Sequence, residues 1–204
     1  MMIIIVNFNR PNFLAVQIPL ILKNLEPQGI HVINTGERLN GCKEIAAKYD
    51  CKYTYIKGPD DYSKSHALAL NLGYSFNRQE HEIVGILDHD CFPISLVNIA
   101  SEMEGKFFYA CNQERLGLLY PNPACLFINT KVGALDFMPS HGMDTGGLLH
   151  QVYTQVRPMS YEKMDDYEVF GGAFLHIVKG SNWVKTTENK LRVDGVFSKV
   201  LTYL

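Results

Sequence analysis

The sequence predicts an α/β fold: a mostly parallel central sheet flanked by helices, Rossmann-like in plan. Three observations predict it. Runs of strand length at residues 3–8, 30–33, 52–56 and 83–87 alternate with longer helical stretches. The first and last of these are nearly unbroken in apolar side chains, as suits strands covered on both faces. Four strands with three intervening helices between Ile3 and Asp90 is the rhythm of βαβ units.

The elements follow in order. Ile3-Ile4-Ile5-Val6-Asn7-Phe8 is the first strand, and Asn9-Arg10-Pro11-Asn12 a turn. Pro11 opens a helix running to about Asn24, because proline suits a first helical turn. Gly29 breaks it, and residues 30–33 form a second strand that ends at Asn34-Thr35-Gly36. Residues 41–49 read as a helix and 52–56 as a third strand. Gly58-Pro59-Asp60-Asp61 is a loop before a helix over 63–76, with Ser63 as its cap. The fourth strand, 83–87, runs into Asp88-His89-Asp90. Beyond residue 95 the pattern loosens. Residues 107–111, 124–128 and 173–178 read as strands, 148–156 as a short helix, and Pro121, Pro123 and Pro139 as loop positions. No internal repeat or low-complexity tract occurs.

The 204 residues are read as one domain, 1–204, with a core of useful size. Lys and Arg total 19 against 21 Asp and Glu, and no basic block stands out, so nucleic acid is excluded as a partner. The five cysteines form no CxxC pair, and their odd number fits free thiols in a reducing cytoplasm. The opening apolar run is too short for a signal core, and the stretch 13–22 is interrupted by Gln17 and Pro19 and falls short of a membrane span.

Asp88 and Asp90 carry the chemistry. In extended chain, residues i and i+2 project to one side. The two carboxylates therefore point together just past the carboxyl end of a central strand, where open α/β sheets bind ligands. Paired hard oxygens suit Mg²⁺ or Mn²⁺, which complete their shells with phosphate oxygens. The alternative is a solvated turn capping a helix near Pro93. His89, between them, points the opposite way and offers a nitrogen to a bound nucleotide or to Mn²⁺.

Three blocks resemble the glycosyltransferase-A fold, and within it the family 2 type of nucleotide-sugar glycosyltransferase. The first, Val6-Asn7-Phe8-Asn9-Arg10-Pro11, is similar to the strand-one ending that opens the family's nucleotide pocket. The second runs from Ser65-His66-Ala67-Leu68-Ala69-Leu70-Asn71-Leu72-Gly73 to Asp88-His89-Asp90. It resembles the family's Ala-x-Asn-x-Gly helix and Asp-x-Asp motif. The third, His176-Ile177-Val178-Lys179-Gly180-Ser181-Asn182-Trp183, resembles a late His and Gly-Ser segment that closes over metal and diphosphate. The resemblance implies residues 1–95 as the nucleotide-sugar half, and residues 96–204 as the acceptor side with the late metal and diphosphate segment. Asn34-Thr35 stands where members place an Asp that contacts uracil, and the chain is shorter than typical members.

The resemblance makes Asp88, Asp90 and His176 the metal ligands. It places Asn9, Arg10, Asn34, Lys64, His66, Asn71, Asp88, His89, Lys179 and Ser181 against the donor. Lys64 and His66 lie at a helix start, which attracts phosphate, although a plain capped helix explains them as well. Lys179 would neutralise a phosphate, with Ser181 donating to it. A core position is the alternative for His176, and a surface position for Lys179. Asp144 in Gly142-Met143-Asp144-Thr145-Gly146-Gly147 resembles the family's acidic position before the acceptor-side helix and is the candidate base; Asp165-Asp166 is a second. The alternative for Asp144 is an Asx turn.

The implied activity is inverting transfer from a UDP-sugar such as UDP-glucose to an acceptor of glycan, lipid or protein type, with Mn²⁺ or Mg²⁺ as cofactor and donor hydrolysis when no acceptor is bound. Two rival classes stay open. One is a nucleotide-sugar-binding module without turnover. The other is a haloacid-dehalogenase-like phosphatase, which also places Asp-x-Asp after a strand. A Rossmann dehydrogenase is disfavoured because no GxGxxG follows the first strand. A sugar-1-phosphate nucleotidyltransferase would need a Gly-rich loop where Asn9-Arg10-Pro11-Asn12 stands.

Overall fold

The structure is a computed structural model that describes residues 1–140, 142–153, 168–169, 172–177 and 187–204. Its first half follows the βαβ pattern. The elements are β1 (Met2–Asn7), α1 (Pro11–Leu25), β2 (Gly29–Asn34), α2 (Cys42–Lys48), β3 (Lys52–Tyr55), α3 (Tyr62–Asn77) and β4 (Ile83–Asp88). Strands β3, β2, β1 and β4 lie side by side and parallel.

Alternation along β1 explains the layers. Ile3 and Ile5 face Leu14, Ile18 and Ile21 of α1. Ile4 and Val6 face Ala67, Leu70 and Tyr74 of α3 on the opposite side. Each strand residue is thus buried whichever way it points, which is why the runs are apolar throughout. Gly85 in β4 is required by this packing. A Cβ there would lie 2.6 Å from Ile3 Cδ1 and 2.8 Å from the Phe127 ring.

Helix α3 is capped by Asp61 rather than Ser63. The Asp61 carboxylate accepts from the Lys64 amide at 3.1 Å, as an N-cap carboxylate does. Ser63 lies within the first turn, and its carbonyl accepts instead from the Thr145 hydroxyl at 2.9 Å.

The second half departs further from expectation. After β4 come β5 (Cys91–Pro93), α4 (Ile99–Glu102), β6 (Phe108–Arg115) and β7 (Leu118–Asn129). Strand β7 runs antiparallel to both β4 and β6, which completes a six-stranded sheet in the order β3-β2-β1-β4-β7-β6. It begins six residues before the expected 124 and passes through Pro121 and Pro123, which are strand residues and not loop. They are tolerated because β7 pairs with β4 only from Cys125 onward, so at these prolines that edge has no ladder to satisfy. The β6–β7 hairpin therefore overhangs the end of β4. Its turn, Leu116-Gly117, has positive φ at both residues, 54° and 73°, which matches the strand twist.

The expected helix at 148–156 is a 3-10 turn, Gly147–Leu149, followed by α5 (His150–Tyr153); residues 154–156 lie outside the described ones. The strand expected at 173–178 is β9 (Phe174–His176). With β8 (Glu168–Val169) and β5 it makes a second, antiparallel sheet. Helix α6 (Thr187–Leu201) follows, and its Val193 and Val200 pack with Phe13 and Leu20 of α1 and Phe92 and Leu175 of the small sheet.

Candidate active site

The acidic turn sits where the two sheets meet. Asp88 ends β4 in the large sheet and Cys91 begins β5 in the small one. Strand β9 pairs with β5 so that His176 lies opposite Cys91, and the Ile177 amide donates to the Asp90 carbonyl at 2.8 Å. This register delivers an imidazole from the far end of the chain to the two carboxylates. Among the described residues, Asp88, Asp90 and His176 are the group of possible ligands whose atoms all lie within 4.8 Å of one another.

Two histidines face the two aspartates. His176 Nε2 is 3.4 Å from Asp90 Oδ1, and His66 Nε2 is 2.8 Å from Asp88 Oδ1. Burial disfavours charge on His176, but the Asp90 carboxylate outweighs it and holds the ring at about 9. Burial likewise works against Asp90, and the contact with His176 reverses it, so its carboxyl is held below the usual range. Burial opposes charge on His66 too, and the Asp88 carboxylate overcomes it, raising the ring. Yet Asp88 Oδ1, Asp90 Oδ1 and His66 Nε2 are buried without an aligned hydrogen-bond partner among the described residues. Oxygens of this kind are costly unless something satisfies them. Two buried carboxylates and an imidazole that can give up its proton are a donor set that fits Mn²⁺ or Mg²⁺.

The turn forms the floor of a cavity of about 440 Å³, within the range of small-molecule sites. The end of β1 and the start of α3 wall one side through Phe8, Tyr62 and His66. The overhanging hairpin walls another through Gln113, Arg115 and Asn122, with Asp144 and Thr145 beside it. Asp144 has both oxygens engaged: Arg115 lies 2.9 Å from Oδ2, and the Tyr120 hydroxyl donates to Oδ1 at 3.2 Å.

Of the residues singled out from the sequence, His66, Asp88, His89, Asp90, Asp144 and His176 meet at this cavity. His89 is buried, and its Nδ1 donates to the Val6 carbonyl at 3.1 Å, while its Nε2 is buried without an aligned partner among the described residues. Others lie outside the lining. Asn9, at a left-handed φ of 54°, accepts from the Glu37 amide at 2.6 Å. Asn34 is fully buried, with its side-chain amide donating to the Glu37 carbonyl at 2.8 Å and the Tyr53 hydroxyl at 3.2 Å. These two asparagines shape the loop after β2. The Arg10 guanidinium stands 5.6 Å from the Phe13 ring centre. Lys64 is exposed, 3.7 Å from Asp61. Asn71 bridges to Asp136 and to the Phe137 amide, which ties α3 to the segment after β7. Lys179, Ser181 and Asp165-Asp166 lie outside the described residues.

Sequence reasoning missed Arg115, Tyr120 and Gln17. The first two belong to the hairpin, whose turn lacks the Asn-Gly or Asp-Gly signal. Gln17 is a polar residue among apolar neighbours in α1, and that contrast was the available sign.

No family model and no curated protein matches the chain by sequence. Solved structures do match it in shape. It is similar to a mannosyltransferase, PcManGT from Pyrobaculum calidifontis in complex with GDP-Man and Mn²⁺. The identity is 14% and the TM-score 0.56, over 79% of this chain and 54% of that one. It is also similar to glucosyl-3-phosphoglycerate synthase from Mycobacterium tuberculosis in complex with Mn²⁺ and UDP-glucose. There the identity is 12% and the TM-score 0.56, over 99% and 78% of the two chains. An active-site mutant of LgtC matches at 11% identity and a TM-score of 0.57, over 97% and 96%. The chain spans about half the length of the mannosyltransferase. These likenesses and the strand order define the glycosyltransferase-A fold, and the haloacid-dehalogenase reading falls with that assignment. Among the described residues, no helix is long and apolar enough to cross a membrane.

Proposed function

We propose that the chain is a metal-dependent glycosyltransferase that moves a sugar from a nucleoside diphosphate, a UDP-sugar such as UDP-glucose, to an acceptor hydroxyl with inversion. The observation that carries the reading is the Asp88–Asp90–His176 cluster, whose possible ligand atoms lie within 4.8 Å of one another, on the floor of the cavity at the carboxyl end of the parallel strands. A divalent cation held there would offset the charge that develops on the departing diphosphate.

The chain's own residues do the rest. Asp88 and Asp90 would hold the cation with His176, and His66 orients Asp88 from 2.8 Å. His89 offers its Nε2 lone pair to a hydroxyl or N–H of the donor. Residues 1–95 hold the nucleotide, and Asn9, Arg10, Asn34 and Asn71 act through the loops and helix they fix. Lys64 adds positive charge beside the entrance to α3, and Lys179 and Ser181 serve the diphosphate. Asp144 is the base: it takes the acceptor hydroxyl's proton onto Oδ1 while Arg115 keeps hold of Oδ2. The nucleophile is an acceptor hydroxyl of glycan, lipid or protein type, or water in slow hydrolysis when no acceptor is bound. The odd cysteine count, with Cys42, Cys51 and Cys91 as free thiols, supports a cytoplasmic setting.

One observation favours a binding module instead. Both oxygens of Asp144 are already partnered, so the base is engaged. Calorimetric titration of UDP-glucose and GDP-mannose, with Mn²⁺ and after chelation, tests the main reading. Affinity that depends on Mn²⁺, accompanied by slow UDP release, is the expected result. Equal affinity after chelation overturns the metal site, and binding without any UDP release or transfer leaves the module.

A further inference from the structure

Helix α1 carries two polar side chains on its buried face, Gln17 and Asn24, about two turns apart. Both aim at the segment that crosses from one sheet to the other. Gln17 is 0% exposed, and its Nε2 donates to the Asp88 carbonyl and to the Cys91 carbonyl, each at 2.6 Å. Two carbonyl oxygens can be met only by the amide's NH₂ end, so the partners themselves fix its orientation. Asn24 donates to the Pro93 carbonyl at 2.9 Å. Burying an amide is unfavourable unless its polar atoms are met; Gln17 Oε1 has no aligned partner among the described residues, so the burial rests on its two donors. Here they are used on one short stretch of backbone.

The carbonyls that Gln17 grips bracket the acidic turn. Asp88 O closes the large sheet, Cys91 O opens the small one, and Asp90 lies between them, with its own carbonyl held by the Ile177 amide. The turn is clamped on the α1 side by a side chain that spans its two ends.

We propose that Gln17 is a positioning residue for the cation site: it sets the Asp88–Asp90 turn, and through the backbone it sets how well the two carboxylates hold a divalent metal. The inference rests on the metal reading of Asp88, Asp90 and His176. Gln17 touches neither the carboxylates' oxygens nor the donor. Asn24 is its internal control, on the same helix face and the same strand, but its bond is to Pro93, beyond the turn.

The test is titration of the full chain with Mn²⁺, free ion being read by its paramagnetic resonance signal, together with the thermal midpoint. Gln17→Met keeps the side chain's length and removes both donors. Asn24→Leu removes the control bond. Both variants lower the midpoint. Gln17→Met weakens Mn²⁺ about 10–100-fold, the scale of lost outer partners at metal sites, while Asn24→Leu stays within about twofold. If Gln17→Met does not fold, Gln17→Glu replaces it. A buried carboxyl stays protonated and has one donor for two acceptors, so part of the Mn²⁺ affinity is lost. Unchanged Mn²⁺ affinity in the Gln17 variant overturns the proposal. So does an equal loss in Asn24→Leu, which would make the effect one of general stability. A wild type that binds no Mn²⁺ is a different result: it removes the metal site itself, and this proposal with it.

Discussion

On the floor of the cavity, Asp88 and Asp90 face two imidazoles, His66 and His176. Across it, Asp144 faces the guanidinium of Arg115 and the hydroxyl of Tyr120. The difference lies in what neutralises each carboxylate. A proton on an imidazole can leave, and the vacated lone pair can bind a metal. An arginine keeps its charge at any accessible pH. The floor is therefore exchangeable, a place where a cation could take the place of protons. The wall is complete without one. Burial follows the same division: the Asp90 side chain is 6% exposed, whereas the Asp144 side chain is 39% exposed. The comparison predicts metal dependence at one carboxylate group and independence at the other.

The largest effect expected is on the wall. Asp144→Ala lowers transfer by about 10²–10⁴, the usual share of a general base. It leaves Mn²⁺ and donor binding near wild type, read by calorimetry. A variant that loses donor binding would merge floor and wall into one site and end the distinction.

Asp90→Ala acts on the floor. One of the two carboxylates is gone and the diphosphate charge is poorly balanced, so Mn²⁺ affinity and UDP release both fall by about 10–100-fold or more. The thermal midpoint falls as well, because Asp90 is buried beside His176 and its loss leaves that imidazole without its carboxylate, so Mn²⁺ affinity is read at a temperature where the variant is folded. Turnover equal to wild type would mean that the acidic turn is structural.

The pH dependence of metal binding sharpens the same contrast. His176 is held at about 9 in the metal-free protein, so at neutral pH a metal must displace its proton. Mn²⁺ affinity therefore rises with pH, by about tenfold per unit while one proton is released. Titrations at pH 6.5, 7.5 and 8.5 measure it. A flat profile removes His176 from the ligands.

How much of this was legible depends on whether an element carries its own bounded run. Strands β1 to β4 each show one: β1, β2 and β3 pair through short crossovers, and β4, whose parallel partner β1 lies 82 residues earlier (Met2 to Val84), is marked by its apolar run alone. Asp88 and Asp90 were visible because the strand that presents them is unbroken from Ile83 to Leu87. Strand β5 was invisible: three residues long, it pairs with β9 more than eighty residues later. The β6–β7 hairpin was cut short because Leu116-Gly117 is not a familiar turn pair and two prolines interrupt the strand. Helix α6 had a sign that went unused, the spacing of Val193, Val196, Phe197 and Val200, which repeats at three and four residues. Arg115 and Gln17 act through tertiary contacts alone. No local pattern could assign them a carboxylate or a turn.

The smallest effect expected concerns a histidine outside the cavity. His31 in β2 is fully buried and has no carboxylate beside it. Asn77 Nδ2 donates to its Nδ1 at 3.0 Å, so its Nε2 donates to the Thr54 hydroxyl at 2.9 Å. The ring is held neutral: burial, with Lys52 adding to it, pushes it down to about 4. Its shift is thus opposite in sign to that of His176, and the presence or absence of an adjacent carboxylate decides between them. The folded value lies below the unfolded value of about 6.5. Between those two values the unfolded chain binds up to about one proton more than the folded chain, and stability falls as pH is lowered through that window. Above the window the contribution is complete. His31→Gln keeps a donor for Thr54 and an acceptor for Asn77 without a titrating ring. Urea midpoints of wild type and variant from pH 7 down to pH 4.5 should converge as the wild type loses this contribution. Parallel curves would mean that His31 charges without cost, and that burial alone does not set the sign of a histidine's shift in this fold.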